Sequence, residues 1–159
     1  MMTWLYWAPL GAASLHIVEE FVYPGGFAEW DRHYRPEFRK SITPRLHIIV
    51  NALLLVLCYD VGALGPSPAG VALWLTTTAL LAANAVWHVR GAVATRQYSP
   101  GMITGSLLYL PLAVYGYLQF LRSGQASLPT AIVAFLIGAS YQLWVGGALH
   151  KWRTRRAAP

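Results

Sequence analysis

The sequence predicts an all-α fold, a single-domain polytopic membrane helix bundle with five transmembrane helices. Composition, segment length and charge placement carry that expectation. Hydrophobic residues make up 56% of the 159 positions and charged residues 11%, with a mean hydropathy of +0.43, which suits a chain solvated by lipid. Five apolar stretches, at about 3–23, 44–63, 69–94, 101–121 and 128–149, each approach the ~20 residues that cross a bilayer. With five spans, all of the 12 Lys and Arg residues except Arg122 fall on one side. The positive-inside rule then sets the amino terminus outside and the carboxyl terminus in the cytoplasm, with the protein in the cell membrane.

The first stretch has no basic leader and no small-residue cleavage pattern, so it reads as a span rather than a cleaved signal. It contains the segment Leu15-His16-Ile17-Val18-Glu19-Glu20-Phe21. A carboxylate near a membrane helix centre costs roughly 2.5–3.5 kcal/mol, so two adjacent ones need protons, hydrogen bonds or a metal. The loop from Tyr23 to Lys40 mixes Trp30, Tyr34 and Phe38 with cations, which suits a segment lying on headgroups. His33 in that loop and His150 at the last helix end read as ordinary interfacial residues. The second span rises from about Pro44 and holds Cys58, the single cysteine, which cannot form an internal disulfide.

The third span descends to about Thr95, closed by Arg90 and Arg96. Before the fourth lies Tyr98-Ser99-Pro100-Gly101, where Ser99 suits an N-cap and Pro100 a first helical residue. Free backbone N–H groups there could seat an anion, with Arg90 and Arg96 adding charge. The fifth span rests on hydropathy alone. Its basic tail, Lys151, Arg153, Arg155 and Arg156, suits topology and anionic lipid; no recognition motif accompanies it, so no nucleic-acid partner is expected.

Orientation turns scattered polar residues into a layer. At 1.5 Å per residue, Glu20 and His16 lie roughly 5 and 10 Å above the exit of span one, and His47 and Asn51 match those depths on span two. His88 and Asn84 lie roughly 10 and 16 Å into span three. Each helix thus offers an i, i+4 polar pair in the cytoplasmic half. A lone membrane Asn or His is usually interhelical hydrogen-bond glue, but hydrogen bonding alone does not explain paired carboxylates. Tyr115, Gln119, Tyr141 and Gln142 are further candidates for cavity lining.

His16-x-x-Glu19-Glu20, a later histidine for which His88 is the natural candidate, and Tyr98-x-Pro100-Gly101 occur in order along spans one to four. In these the chain resembles the HXXEE family of small membrane proteins. The resemblance implies a membrane protein with a polar active centre and no established reaction. His47 and Asn51 enter through depth, not through the family motif.

His16, Glu20, His47 and His88 make a ligand set for a divalent transition metal, Zn²⁺, Fe²⁺ or Mn²⁺. His16, Glu19 and Glu20 are the candidate catalytic residues. Glu20 shares a face with His16 and is assigned the ligand role, whereas Glu19 points about 100° away and is left as base, proton donor or brace. On that assignment Glu19→Gln keeps the metal and loses turnover. Asn51, Asn84, Arg96, Tyr98, Ser99 and Gly101 are candidates for binding substrate. The leading expectation is a metal-dependent membrane enzyme, such as a hydrolase, acting on a lipid or isoprenoid. The alternatives are a metal-free isomerase or cyclase, in which a buried acid protonates an alkene beside aromatic faces, and a non-enzymatic metal, proton or lipid carrier. Membrane lipid and a lipophilic small molecule are the expected partners; the oligomeric state is open.

Overall fold

The computed structural model describes residues 3–144, which form helices and no strands. Helix α1 spans Trp4–Phe21, α2 Phe27–Tyr34, α3 Pro44–Leu64 and α4 Pro68–Thr95. The short α5, Met102–Thr104, runs through a π-helical turn, Gly105–Tyr109, into α6, Leu110–Arg122. Helix α7 covers Leu128–Ala139, with helical backbone resuming at 141–144. A 3₁₀ turn, Pro36–Phe38, links α2 to α3.

Local chemistry sets the starts. Thr43, Ser67 and Ser127 precede α3, α4 and α7, and each accepts from an N–H three residues on. In each of these helices proline occupies one of the first two positions, where its missing N–H costs nothing.

Among the described residues two helices, α3 and α4, are long and apolar enough to cross a membrane, with mean hydropathies of 1.9 and 1.5 over their best windows. The other three expected spans are less regular. Helix α1 has only 18 residues, the fourth segment contains the π turn, and α7 ends its regular run at Ala139. The last residues of the fifth expected span, His150 and the basic tail lie outside the described residues. Many large apolar side chains face outward, including Ile48, Leu53 and Val56 on α3 and Ile132, Leu136 and Ile137 on α7.

Helix α4 is the axis of the fold, touching α1, α2, α3, α6 and α7. Small residues let its neighbours approach, as they do between membrane helices. A Cβ at Gly138 would sit 2.2 Å from the Thr76 carbonyl, so α7 lies directly on the α4 backbone. At Gly116 it would enter the Trp74 ring. Trp74 is fully buried and donates its indole N–H to the Leu5 carbonyl at 2.8 Å, tying α4 to the start of α1. Leu5, Tyr6, Val61, Leu75 and Phe120 pack around it.

The buried residues of α1 recur as Leu5, Pro9, Ala12/Ala13, His16 and Glu19/Glu20. That three-to-four spacing is one helix face, so the face that packs the core at one end presents the polar residues at the other.

Candidate metal centre

His16, Glu20 and His88 converge where α1 crosses α4. All three are buried, His88 completely and His16 and Glu20 to within a few per cent. One ligand atom from each lies within 4.8 Å of the others. Glu20 Oε1 stands 3.4 Å from His16 Nε2 and 3.2 Å from His88 Nε2. Bonds of ~2.1 Å arranged tetrahedrally about one ion set their ligand atoms roughly 3.4 Å apart. The two gaps to Glu20 Oε1 are close to that edge.

The outer nitrogens of the two imidazoles are already engaged. His88 Nδ1 lies 2.9 Å from Ser99 Oγ, and His16 Nδ1 lies 2.9 Å from Thr104 Oγ1. Thr104 has one hydroxyl proton and gives it to Glu19 Oε2. Its oxygen then accepts from His16 Nδ1–H, and in the neutral ring Nε2 of His16 is left with a lone pair turned toward Glu20. The amide nitrogen of Asn84, 3.1 Å from that Nε2, agrees by donating to it. Nε2 of His88 is buried and has no aligned hydrogen-bond partner. Two imidazole nitrogens facing one carboxylate oxygen, with their far sides fixed by second partners, is the arrangement that metal-binding histidines adopt.

Glu19 is satisfied elsewhere. Its carboxylate accepts from the Tyr98 hydroxyl, the Thr104 hydroxyl and the backbone N–H groups of Ile103 (3.0 Å) and Thr104 (2.7 Å). The backbone N–H groups that engage an anion here are those of Ile103 and Thr104, just after the Tyr98–Gly101 turn, and the anion is the protein's own Glu19. Burial and the adjacent Glu19 charge raise the Tyr98 phenol above its ordinary range, so it stays a donor.

Ser99 does not cap the following helix. Gly101 occupies that position, with φ of 99°, and Ser99 orients His88 instead. A Cβ at Gly101 would lie 2.7 Å from Cε1 of both His16 and His88, so only glycine lets the loop close over the two rings. The π turn carries Tyr109 to within 4.5 Å of the His16 ring, centre to centre.

His47 is not brought into this cluster. Its Nε2 lies 3.5 Å from Oδ2 of Asp31, which α2 supplies. Asp31, 1% exposed, also accepts two 2.7 Å hydrogen bonds from Arg35, whose guanidinium stacks on Trp87 at 4.9 Å. The expected headgroup loop thus contributes an ion pair whose carboxylate is buried and whose guanidinium is half-buried. The only sequence signal for it is the i, i+4 spacing of Asp31 and Arg35.

Burial pushes the Asp31 carboxyl up, and the facing His47 and Arg35 outweigh burial and hold it below its ordinary value. A depressed carboxylate stabilises the fold above its unfolded pKa, and that contribution is lost as pH falls below about 4. Asp31→Asn is expected to leave the half-buried Arg35 without its counter-charge and to cost about 1.5–3 kcal/mol at neutral pH. Thermal unfolding in lipid nanodiscs measures the loss, which should shrink toward pH 3.

A cavity of about 270 Å³ joins the two polar clusters. Its walls include His16, Glu20, Asp31, His47, Asn51 and Asn84. Tyr141 and Gln142 also line it, whereas Tyr115 stacks on Trp4. Neither Tyr115 nor Gln119 is among the lining residues. Arg96 is exposed at the end of α4 in a left-handed conformation.

No curated protein and no solved structure matches the chain. A family model covers residues 7–116, described as a protein of unknown function with an HXXEE motif. That span takes in α1 with its histidine and paired glutamates, His88 and the Tyr98–Gly101 loop, so the chain belongs to the HXXEE family.

Proposed function

We propose that the protein is a membrane-embedded, metal-dependent enzyme acting on a lipid or isoprenoid. The observation that carries this reading is the buried triad of His16, Glu20 and His88, in which two imidazole nitrogens face one carboxylate oxygen at 3.4 and 3.2 Å. The triad would hold a Zn²⁺, Fe²⁺ or Mn²⁺ ion, which would supply Lewis-acid chemistry toward water or a carbonyl. The three residues are its ligands, and Ser99 and Thr104 hold the rings in the right tautomer. Glu19 already meets four donors, which favours the brace among its expected roles. His47, whose Nε2 is turned to Asp31, lines the same cavity without joining the triad. Hydrolysis of an ester or related bond is the reaction class best served by these parts.

Elemental analysis after chelator-free purification tests the reading. About one first-row metal ion per chain is expected, and its consistent absence overturns it. The metal-free isomerase or cyclase would then take its place, favoured by the aromatic walls of Phe27, Trp87 and Tyr141 around Glu20.

The five-span topology belongs to the same proposal, supported by the 11-to-1 partition of basic residues and by the apolar outer surfaces of α3 and α7. In a Cys58→Ala background, single cysteines at Pro66 and Arg155 should label from opposite sides of the membrane. Labelling from one side would remove the common-depth relation of the polar residues.

A further inference from the structure

We infer that the cavity binds a single-chain amphiphile end-on, with an oxygen-bearing head at the triad and its tail running along α3 toward the α3–α4 turn. The head placement rests on the metal-centre reading; the tail placement stands on the cavity alone.

The walls of the cavity are graded. On α3, His47 and Asn51 line the end near Pro44 beside Leu46 and Val50, and beyond Asn51 the lining is Leu53, Leu54 and Leu57 with no polar side chain. Helix α4 runs the other way and repeats the gradient, with Trp87 and Asn84 at the polar end and Leu81 and Leu80 beyond. The rise from Asn51 to Leu57 gives the apolar part a length of ~9 Å. Among the described residues Leu53 both lines the cavity and is 64% exposed, which points to an exit beside it. That exterior is the apolar face of α3, so a ligand arrives sideways from lipid.

Size and charge narrow the occupant. At about 270 Å³ the space lies just below the range of drug-sized pockets, enough to enclose one chain and too little to enclose both chains of a glycerophospholipid. The head meets Glu20, Asn51, Asn84 and Gln142. Arg35, the cation on the wall, is committed to Asp31 through two 2.7 Å bonds. The lining therefore suits an alcohol, carboxyl or ester head, not a diphosphate. A fatty or isoprenoid alcohol, or its ester, has the required shape.

The protein in lipid nanodiscs, loaded with Co²⁺, separates this inference from the metal reading. Co²⁺ absorption reports the metal site, and two hydroxamates of different tail length report the tail. Octanohydroxamate is expected to bind at least about 30-fold more tightly than acetohydroxamate. Leu57→Trp is expected to weaken octanohydroxamate about 10-fold or more and leave acetohydroxamate unchanged. Partition into the bilayer is the same for both proteins and cancels between them. Octanohydroxamate binding that Leu57→Trp leaves unchanged overturns the tail placement while the metal centre stands.

Should Leu57→Trp fail to fold, a tail-diazirine fatty alcohol tests the wild type without a variant or a metal. Crosslinks at Leu54, Leu57 or Leu81 are expected. Crosslinks confined to outward residues such as Ile48 and Ile49 overturn the tail placement. Failure of Co²⁺ to bind, with interior crosslinks present, removes the metal centre and the head placement and leaves the lipid cavity. Geranyl diphosphate competing more strongly than geraniol overturns the head assignment.

Discussion

Replacing His88 by Gln is expected to lower metal affinity by more than about 100-fold, beyond the 10–100-fold typical of groups that only orient a ligand. His88 is fully buried, and its ring packs against Phe27, Trp30 and Trp87. Alanine would confound ligand loss with an empty space costing about 3–5 kcal/mol, as for other large buried rings. Glutamine keeps more of the volume and removes the imidazole. Glu20→Gln should match it, since an amide oxygen donates far less charge to the ion than a carboxylate. Both variants should fold, because Ser99 and the aromatic cluster around position 88 remain. Metal content by mass spectrometry, with Co²⁺ titration for affinity, measures the effect. Wild-type metal content in both variants would mean that any bound ion sits elsewhere.

Much of this centre was legible from the chain because α1 obeys a simple rule. One face buries Leu5, Ala12 and Ala13, and continuing its period delivers His16 and Glu20 inward. Depth counted from span ends also brought His88 and Asn84 to the right level, and Asn84 does meet His16. The same counting misplaced His47. Rise along a helix says nothing about rotation around it, and nothing about an intervening segment. Helix α2 supplies Asp31, which takes the His47 side chain that depth alone assigned to the metal.

The role of Ser99 was hidden for a related reason. The residue looks like an N-cap in the sequence, but α5 starts three residues later and its N–H groups find Glu19 instead. Capping by a carboxylate 84 or 85 residues away leaves no local pattern. Thr104 was missed on the same ground, since its importance lies in standing between two groups that both belong to α1. The π turn at Gly105–Tyr109 interrupts a segment whose hydropathy reads as one continuous helix.

Glu19→Gln is expected to reduce metal affinity about 10–100-fold and to destabilise the fold, though position 19 is not a ligand. This departs from the expectation that the variant keeps its metal. The carboxylate receives four donors on two oxygens. An amide offers one oxygen and turns an NH₂ toward the remaining donors, leaving buried N–H or O–H groups unpaired at about 1–3 kcal/mol. The Thr104 hydroxyl is then free to donate to His16 Nδ1, which would move the imidazole proton to Nε2 and block the lone pair that faces Glu20. Thr104→Val separates the two consequences. It leaves both backbone N–H groups on Glu19 but removes the acceptor for His16 Nδ1–H, so affinity should fall about 10-fold with a smaller loss of stability. Nitrogen-15 shifts of the His16 ring in the metal-free protein report the tautomer directly: Nδ1–H in wild type, with Nε2–H populated in Glu19→Gln. If both variants bind Co²⁺ as wild type does while only thermal stability falls, Glu19 holds the Tyr98–Thr104 segment in place and has no influence on the metal.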